Sequence, residues 1–258
     1  MTLTAVVEQA AGALAARPAA LISDVDGTLS RIVPRPADAV VSEKARQGLA
    51  ALLPLLDLVA AVTGREEAVA RCMVACEGLT YVGSYGLDAE GAARVAASDL
   101  GAAKESAREL LAAYPCVTLE EKDVSFSLHF RNCADGETVR QALIALLEPI
   151  AAAAGGRLLE GKQVIELVPA ALPGKDDAVA NLARDHQLKG IVYLGDDLSD
   201  TAVFRAIAAR RAAGQPGLAI AVVDRETRAE VRDAADATLA GVGEVEAFLA
   251  ALARRLGR

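Results

Sequence analysis

The stretch AALISDVDGTLS, residues 19–30, ends an apolar run with two carboxylates, Asp24 and Asp26, one residue apart. The apolar residues before them have the length and composition of a buried β-strand. Two acids side by side at the end of a buried strand are energetically unfavourable unless a cation lies between them. The stretch therefore predicts a strand that delivers carboxylates to a cation-binding site.

Strand-like and helix-like segments alternate along most of the chain. Ser42 is a candidate N-cap for a helix running to about Leu53, and a last helix is expected from about Val245 to Leu256. Buried strands that alternate with amphipathic helices indicate an α/β fold with a doubly wound, mostly parallel sheet. The predicted strands are 20–23, 58–62, 81–83, 191–194 and 218–223.

The segment 98–170 breaks this alternation. It holds two predicted helices, 101–113 and 137–153, and the strand-like stretches TLEEKDVSFSLHF and RLLEGKQVIELV. We expect an inserted α+β domain at 98–170, with 1–97 and 171–258 forming the doubly wound domain. The first stretch predicts a half-exposed antiparallel strand, because apolar and polar residues alternate along it. One face carries Val124, Phe126, Leu128 and Phe130, and the other carries Asp123, Ser125, Ser127 and His129.

Composition excludes several classes of protein. The formal net charge of −8 over 258 residues argues against a nucleic-acid surface. No apolar run approaches membrane-spanning length, and the N-terminus lacks the basic and apolar regions of a secretory signal. We expect a cytoplasmic protein without membrane or nucleic-acid partners.

The chain has four cysteines, Cys72, Cys76, Cys116 and Cys133. No histidine lies close enough in sequence to complete a zinc site with them. The predicted state of all four is a reduced, structural thiol in a cytosolic protein.

Polar residues follow three of the predicted strands. Because ligands bind outside the carboxyl ends of parallel strands, we expect these residues to converge. Clustered carboxylates need a hard cation, and oxygen-only ligands point to Mg²⁺. Lys175, near a predicted helix start, adds an ammonium group that favours a phosphate ligand. The converging residues are Asp24 and Asp26, Thr63 and Arg65, and Asp196 and Asp197.

The order of these residues resembles the four motifs of the haloacid-dehalogenase-like (HAD) phosphohydrolases. The matching residues are Asp24-Val-Asp26-Gly27-Thr28, Thr63, Lys175, and GDDLSD at 195–200. The resemblance implies a HAD-like core with an inserted α+β cap after the second motif, since the segment before Thr63 is too short for a cap. The alternative from the residues alone is a set of structural acids at loop ends.

A closer resemblance is to the trehalose-6-phosphate phosphatases. It rests on DVDGTLSRIVPRPADAVV, TGR, YVGSYGLD and GDDLSDTAVF, and on LEEKDVSFSLHFR and EGKQVIEL in the insert. In that family, acidic and basic cap residues grip the disaccharide phosphate. By position these are Glu120, Lys122, Arg131 and Glu166; a solvated strand face is the alternative for each.

Three positions depart from the family pattern. Lys175 is followed by Asp176 rather than by the usual glycine, and Thr63 stands where many relatives have serine. Tyr85 stands where relatives often have histidine. The first two changes keep the chemistry of the site, whereas the third bears on which substrate is accepted.

The resemblance also implies an activity, the Mg²⁺-dependent hydrolysis of trehalose 6-phosphate. Asp24 would be the nucleophile, Asp26 the general acid and base, and Thr63 and Lys175 the ligands of the phosphoryl oxygens. Asp24, the backbone carbonyl of Asp26 and Asp196 would hold Mg²⁺, while Asp197 and Asp200 would orient Lys175 or metal-bound water. The remaining residues implied in substrate binding are Gly27, Thr28, Gly64 and Arg65.

Two alternatives remain open at this stage. One is a phosphatase of the same architecture acting on another sugar phosphate, such as sucrose, glucosylglycerol or mannosylglycerate phosphate. The other is a non-catalytic binding module on the same fold. The resemblance further implies a separate trehalose-6-phosphate synthase as the pathway neighbour.

Overall fold

A computed structural model describes residues 1–87, 100–122 and 125–258. The chain divides into two compact units, one of Met1–Gly86 with Gly174–Arg258 and the other of Leu87–Pro173. The segment expected to be an inserted domain, 98–170, falls within the second unit. No helix in these described ranges is long and apolar enough to cross a membrane.

The described strands are numbered in chain order. They are β1 (Ala19–Ser23), β2 (Leu58–Val62), β3 (Thr80–Val82), β4 (Thr118–Glu121), β5 (Phe126–His129), β6 (Gly156–Gly161), β7 (Val164–Pro169), β8 (Gly190–Gly195), β9 (Gly217–Val223) and β10 (Ala237–Ala240). The described α-helices are α1 (Leu3–Leu14), α2 (Glu43–Leu52), α3 (Glu67–Val74), α4 (Gly101–Leu111), α5 (Gly136–Ala153), α6 (Lys175–Asp185), α7 (Leu198–Ala212), α8 (Ala229–Ala234) and α9 (Gly241–Leu256).

The first unit is built on a parallel sheet with the strand order β10-β9-β8-β1-β2-β3. Every pairing within it is parallel, which confirms the predicted fold class. The five predicted strands lie within one residue of the observed bounds. Strand β10 was not predicted, because only alternate residues of this short segment are buried and its apolar pattern is weak.

Helices cover both faces of this sheet. Leu21 of β1 belongs to the core under α1, α2, α3 and α9, whereas its neighbour Ile22 belongs to the core under α6, α7 and α8. Both side chains are fully buried. A strand buried on both faces reads as a continuous apolar run, which is why residues 19–23 could be recognised from sequence.

Helix α2 begins where its cap was predicted. The Ser42 hydroxyl accepts a hydrogen bond from the Ala45 amide at 3.1 Å, which satisfies one of the free N–H groups of the first turn. The same hydroxyl donates to Glu246 Oε1 at 2.6 Å and so ties α2 to α9.

The second unit contains an antiparallel sheet with the order β4-β5-β7-β6. Helices α4 and α5 supply Ala107, Leu143 and Leu147 to a core that also holds Phe126 and Leu128. The predicted helices, 101–113 and 137–153, match α4 and α5 apart from one or two terminal residues. The unit thus has the α+β character expected of the segment.

The stretch TLEEKDVSFSLHF is not a single half-exposed strand, as predicted, but the hairpin β4–β5. Its polar face is not open either, because Ser125 and Ser127 are 3% and 2% exposed. Strand β5 lies between β4 and β7, and the side chain of Glu166 on β7 accepts a hydrogen bond from Ser125. Small hydroxyl side chains on the central strand are covered by longer side chains, such as Glu166, on the neighbouring strands. Asp123 and Val124 lie outside the described residues.

The prediction of four reduced thiols is wrong for one pair, because Cys116 and Cys133 form a disulfide. Cys116 lies just before β4 and Cys133 just after β5. Pairing of Thr118 with His129 brings these flanking residues together, with 5.1 Å between their Cα atoms. The sequence could not reveal this, since it required the hairpin. Cys72 and Cys76 are free, as expected.

Candidate active site

The polar residues predicted to converge lie in the loops that follow β1, β2 and β8, which are called the first, second and third loops. These strands are adjacent, and Ser23 at the end of β1 pairs with Leu194 of β8 and Ala61 of β2. The next residues therefore leave the sheet at the same edge. The Asp24 amide donates to the Leu194 carbonyl at 2.8 Å, which holds the first loop against the third.

Lys175 joins two acids that are distant in sequence. Its Nζ lies 2.8 Å from Asp24 Oδ1 and 2.8 Å from Asp200 Oδ1. The lysine is the first residue of α6 and only 5% exposed. A buried ammonium is stable only when paired, and here it has carboxylates as partners. Burial alone would lower the pKa of Lys175, but Asp200 and Asp24 outweigh it and hold the pKa well above its usual value.

Asp200 uses both carboxylate oxygens and fixes the loop after β8. Oδ2 accepts from the Asp196 and Asp197 amides at 3.0 and 2.9 Å. Oδ1 accepts from Lys175 and from the Tyr193 hydroxyl at 2.6 Å. Tyr193 was not foreseen as part of this network. The only sequence signal was a phenol within the otherwise apolar run of β8.

Asp197 has a local role in the structure. It is the N-cap of α7, and its side chain accepts from the Leu198 amide at 2.8 Å. This contact orients the first turn of α7, on which Asp200 lies. Asp200 itself contacts Lys175, and the predicted roles of Asp197 and Asp200 stay predictions.

Asp24, Asp196 and Asp200 form a cluster of buried carboxylates. Their ligand oxygens lie within 4.8 Å of one another. Lys175 supplies one positive charge against these three negative charges, so the cluster has surplus negative charge. Burial, reinforced by Asp200 and opposed by Lys175, raises the pKa of Asp24 to about 7. A divalent cation fits the surplus charge and the oxygen donors.

Gly27 allows the first loop to approach the third. Its φ is +82°, a backbone conformation that residues other than glycine rarely adopt. A Cβ at this position would lie 1.9 Å from Asp196 Oδ2. Any larger residue would therefore push Asp196 out of the carboxylate cluster.

Two buried hydroxyls follow Gly27. Thr28 and Ser30 are almost completely buried, and their side-chain oxygens have no hydrogen-bond partner among the described residues. Unsatisfied buried hydroxyls are rare, and these two are suited to hydrogen bonding with a polar ligand. Thr28 was expected in the substrate-binding set, whereas Ser30 was not.

The loop after β2 packs against the loop after β3. Thr63 is buried and its hydroxyl accepts from the Arg65 amide at 3.2 Å. The Tyr85 amide donates to the Thr63 carbonyl at 3.0 Å, although Tyr85 has a left-handed φ of 59°. Its ring covers Gly64, since a Cβ there would lie 2.5 Å from the phenol oxygen. The departure at Tyr85 therefore lies directly beside Thr63 and Gly64.

Arg65 binds Asp26 through two hydrogen bonds. Its Nε lies 2.6 Å from Asp26 Oδ2, and its Nη2 lies 2.8 Å from Asp26 Oδ1. Both side chains are partly buried, which makes this bidentate pair stronger than a surface ion pair. Arg65 therefore compensates the charge of Asp26, which does not add to the surplus negative charge of Asp24, Asp196 and Asp200. The predicted roles of both residues stay predictions.

The polar residues predicted in the insert lie within the second unit. Glu120, Ser127 and Glu166 are direct neighbours across β4, β5 and β7. Glu166 Oε1 lies 2.8 Å from Lys122 Nζ and 2.7 Å from the Ser125 hydroxyl.

His129 and Arg131 complete the description of this sheet. His129 Nε2 lies 2.7 Å from Glu120 Oε2, a contact that was not predicted. His129 lies two residues after Ser127 and so on the same face of β5, which is the signal that could have found it. Arg131 donates to the Lys162 carbonyl at 2.8 Å.

The profile of the family described as trehalose-phosphatase matches residues 22–241. The chain belongs to this family. It is 30% identical over 214 residues to a trehalose-phosphate phosphatase of Mycobacterium bovis, which covers 76% of this chain and 53% of that protein. It is 28% identical over 197 residues to the trehalose-6-phosphate phosphatase of Escherichia coli K12, covering 71% of each.

Another relative is much longer than this chain. The chain is 33% identical over 212 residues to an uncharacterized glycosyl hydrolase of Mycobacterium tuberculosis, which covers 75% of this chain but 16% of that protein. The chain thus spans only part of several curated relatives.

Solved structures agree on the fold. The C-terminal domain of the Candida albicans trehalose-6-phosphate phosphatase aligns with a TM-score of 0.79 and 19% identity, covering 98% of this chain and 97% of that one. A haloacid dehalogenase-like hydrolase from Bacteroides thetaiotaomicron aligns with a TM-score of 0.56 and 12% identity, covering 93% and 100%. These likenesses place the chain in the HAD-like fold.

Asp24→Asn should stabilise the metal-free protein at alkaline pH. Because the folded-state pKa of Asp24 is about 7, above its usual 3.8, the carboxyl contributes full stability below pH 3.8 and loses it as the pH rises through 7. In EDTA, D24N should melt at least about 2 °C above wild type at about pH 8, with a smaller gap at about pH 5. Differential scanning calorimetry measures both.

Asp233→Asn is the matched control, since Asp233 is exposed on α8. It should show no pH-dependent gap. If D24N melted below wild type at about pH 8, the raised pKa of Asp24 would be contradicted.

Proposed function

We propose that this protein is a Mg²⁺-dependent phosphatase that hydrolyses trehalose 6-phosphate to trehalose and phosphate. The observation that carries the proposal is the Asp24–Lys175–Asp200 arrangement in a chain of the trehalose-phosphatase family. Since the chain spans only part of several relatives, the activity is inferred from its own residues. Segment 98–170 would be the cap that selects the sugar.

Asp24 is the proposed nucleophile. One of its oxygens is held by Lys175 at 2.8 Å, which orients the carboxylate. The other oxygen attacks phosphorus, the bond from phosphorus to the sugar oxygen breaks, and an aspartyl-phosphate forms. Lys175 and the Thr63 hydroxyl bind phosphoryl oxygens as their charge shifts. The buried Thr28 hydroxyl is a further donor for such an oxygen.

Asp26 is the proposed general acid and base. It gives its proton to the departing sugar oxygen and then takes a proton from the water that hydrolyses the aspartyl-phosphate. Arg65 holds Asp26 through two hydrogen bonds, so Asp26 must leave Arg65 before it can donate a proton. We therefore assign Arg65 to keeping Asp26 in place before the substrate binds.

Asp24, the backbone carbonyl of Asp26 and Asp196 are the proposed ligands of Mg²⁺. When bound, Mg²⁺ would reduce the repulsion between the carboxylates and the phosphate dianion. Asp200 has each oxygen engaged by two donors, so we assign it to holding Lys175 and the Asp196 loop rather than to the metal.

The polar face of the β4–β5–β7 sheet is the proposed sugar-recognition surface. It carries acceptors on Glu120 and on Glu166, which is 7% exposed, and a donor on Lys122, which suit the hydroxyls of a disaccharide. Ser125 fixes Glu166 from within the sheet. The fourth proposed residue, Arg131, donates to the Lys162 carbonyl.

The proposed substrate bears on the pathway of the protein, and the disulfide bears on its compartment. We expect a trehalose-6-phosphate synthase to supply the substrate. The cytoplasmic location expected from sequence stays a prediction, and the Cys116–Cys133 disulfide favours instead a compartment in which disulfides persist.

Wild-type protein with Mg²⁺ should release phosphate from trehalose 6-phosphate faster than from sucrose 6-phosphate, glucose 6-phosphate or p-nitrophenyl phosphate. Asp24→Asn should lower kcat at least roughly thousandfold, because it removes the nucleophile with little change in volume. The D233N control should keep wild-type activity. Faster turnover of another sugar phosphate would assign that ester as the substrate in place of trehalose 6-phosphate. No turnover of any ester would favour a binding module.

Glu166→Gln and Glu120→Gln should lower kcat/KM for trehalose 6-phosphate by roughly tenfold to a hundredfold, since each loses a charged acceptor for a sugar hydroxyl. Hydrolysis of p-nitrophenyl phosphate should change less than about twofold, because this small ester lacks the sugar. The ratio of the two activities is the measurement.

Glu160→Gln is the matched control for this ratio. Glu160 lies opposite Ile165, on the face of the sheet that packs against α5, and pairs with Arg140. It should leave the ratio unchanged. A parallel fall of both activities in E166Q would assign Glu166 to folding instead of sugar recognition.

A further inference from the structure

The phenol of Tyr193 lies inside the network that positions Lys175. Its hydroxyl lies 2.6 Å from Asp200 Oδ1, the same oxygen that lies 2.8 Å from Lys175 Nζ. Building on the proposed phosphatase function, we propose that Tyr193 is a positioning residue, which acts through Asp200 to hold Lys175 where it can serve Asp24 and the phosphoryl group.

Packing alone does not account for a tyrosine at this position. Tyr193 is completely buried in the core under α6 and α7, where its ring meets the Phe204 ring edge-on with 6.0 Å between centroids. Phenylalanine would fill the same space. A buried hydroxyl is unfavourable without a partner, and Asp200 is the partner that this phenol has. The hydroxyl therefore indicates a task at Asp200.

The geometry shows what that task is. Lys175 Nζ is placed equally between two carboxylates, 2.8 Å from each. A second donor on Asp200 Oδ1 spreads the charge of that oxygen and limits its pull on the ammonium. Without the phenol, Asp200 would draw Lys175 towards itself and away from Asp24. The phenol thus keeps Lys175 shared between Asp24 and Asp200.

The consequence for catalysis is specific. Lys175 is assigned to charge that develops on the phosphoryl oxygens in the transition state, so displacing it lowers kcat more than it changes KM. Loss of a core hydrogen bond alone would lower thermal stability without such a split. The contrast between kcat and KM therefore separates a positioning role from a structural one.

Tyr193→Phe tests this in the full chain with Mg²⁺, using trehalose 6-phosphate and p-nitrophenyl phosphate as substrates. We expect kcat to fall roughly tenfold on both, with KM within about twofold of wild type. Tyr81→Phe is the matched control, because Tyr81 is also buried and its hydroxyl lies 3.1 Å from both the backbone N and the backbone O of Cys76. Its kcat should stay within about twofold of wild type.

A second variant ties the effect to Asp200. In an Asp200→Asn background, adding Tyr193→Phe should lower kcat by less than about twofold, because the carboxylate through which the phenol acts is already gone. An additive tenfold loss there would contradict action through Asp200.

The remaining outcomes are also decisive. An active wild type with unchanged kcat in Y193F overturns this inference and leaves the proposed function standing. Equal losses in Y193F and Y81F, or a Y193F protein that does not fold, assign the phenol to the core and overturn it as well. A wild type that hydrolyses neither ester overturns the proposed function, and this inference with it.

Discussion

The ammonium group of Lys175, buried between Asp24 and Asp200, is the interaction on which the rest of the site depends. One positive charge faces three buried carboxylates, and burial, reinforced by Asp200 and opposed by Lys175, raises the pKa of Asp24 to about 7. Such an arrangement persists only because the fold holds it from several sides. The amides of Asp196 and Asp197 secure Asp200, and Gly27 admits Asp196 against the first loop. The same surplus of charge makes the site receptive to a divalent cation.

The acids that belong to strand ends could be predicted from sequence. Strand β1 is buried on both faces, so its apolar run and its sudden end at Asp24 are visible without a structure. The same holds for β2 before Thr63 and for β8 before Asp196. Adjacent parallel strands then bring these residues together, which local patterns and the rules of α/β topology suffice to foresee.

What could not be predicted depends on pairings between distant residues. The Arg65–Asp26 pair and the Tyr193–Asp200 hydrogen bond join side chains whose orientation no periodicity reveals. Tyr193 looks like one more apolar residue of β8. Likewise, the Cys116–Cys133 disulfide and the burial of Ser125 require knowing that β4 and β5 form a hairpin with β7 beside it. In each case the missing information was tertiary.

Binding of a cation by the carboxylate cluster is the central claim, and isothermal titration calorimetry of metal-free protein with MgCl₂ tests it most directly. Wild type should bind Mg²⁺ at a single site, and Asp196→Asn should abolish the binding while the D233N control keeps it, because Asp196 belongs to the cluster. Wild type that takes up no Mg²⁺, or D196N that binds it as tightly as wild type, would contradict the account.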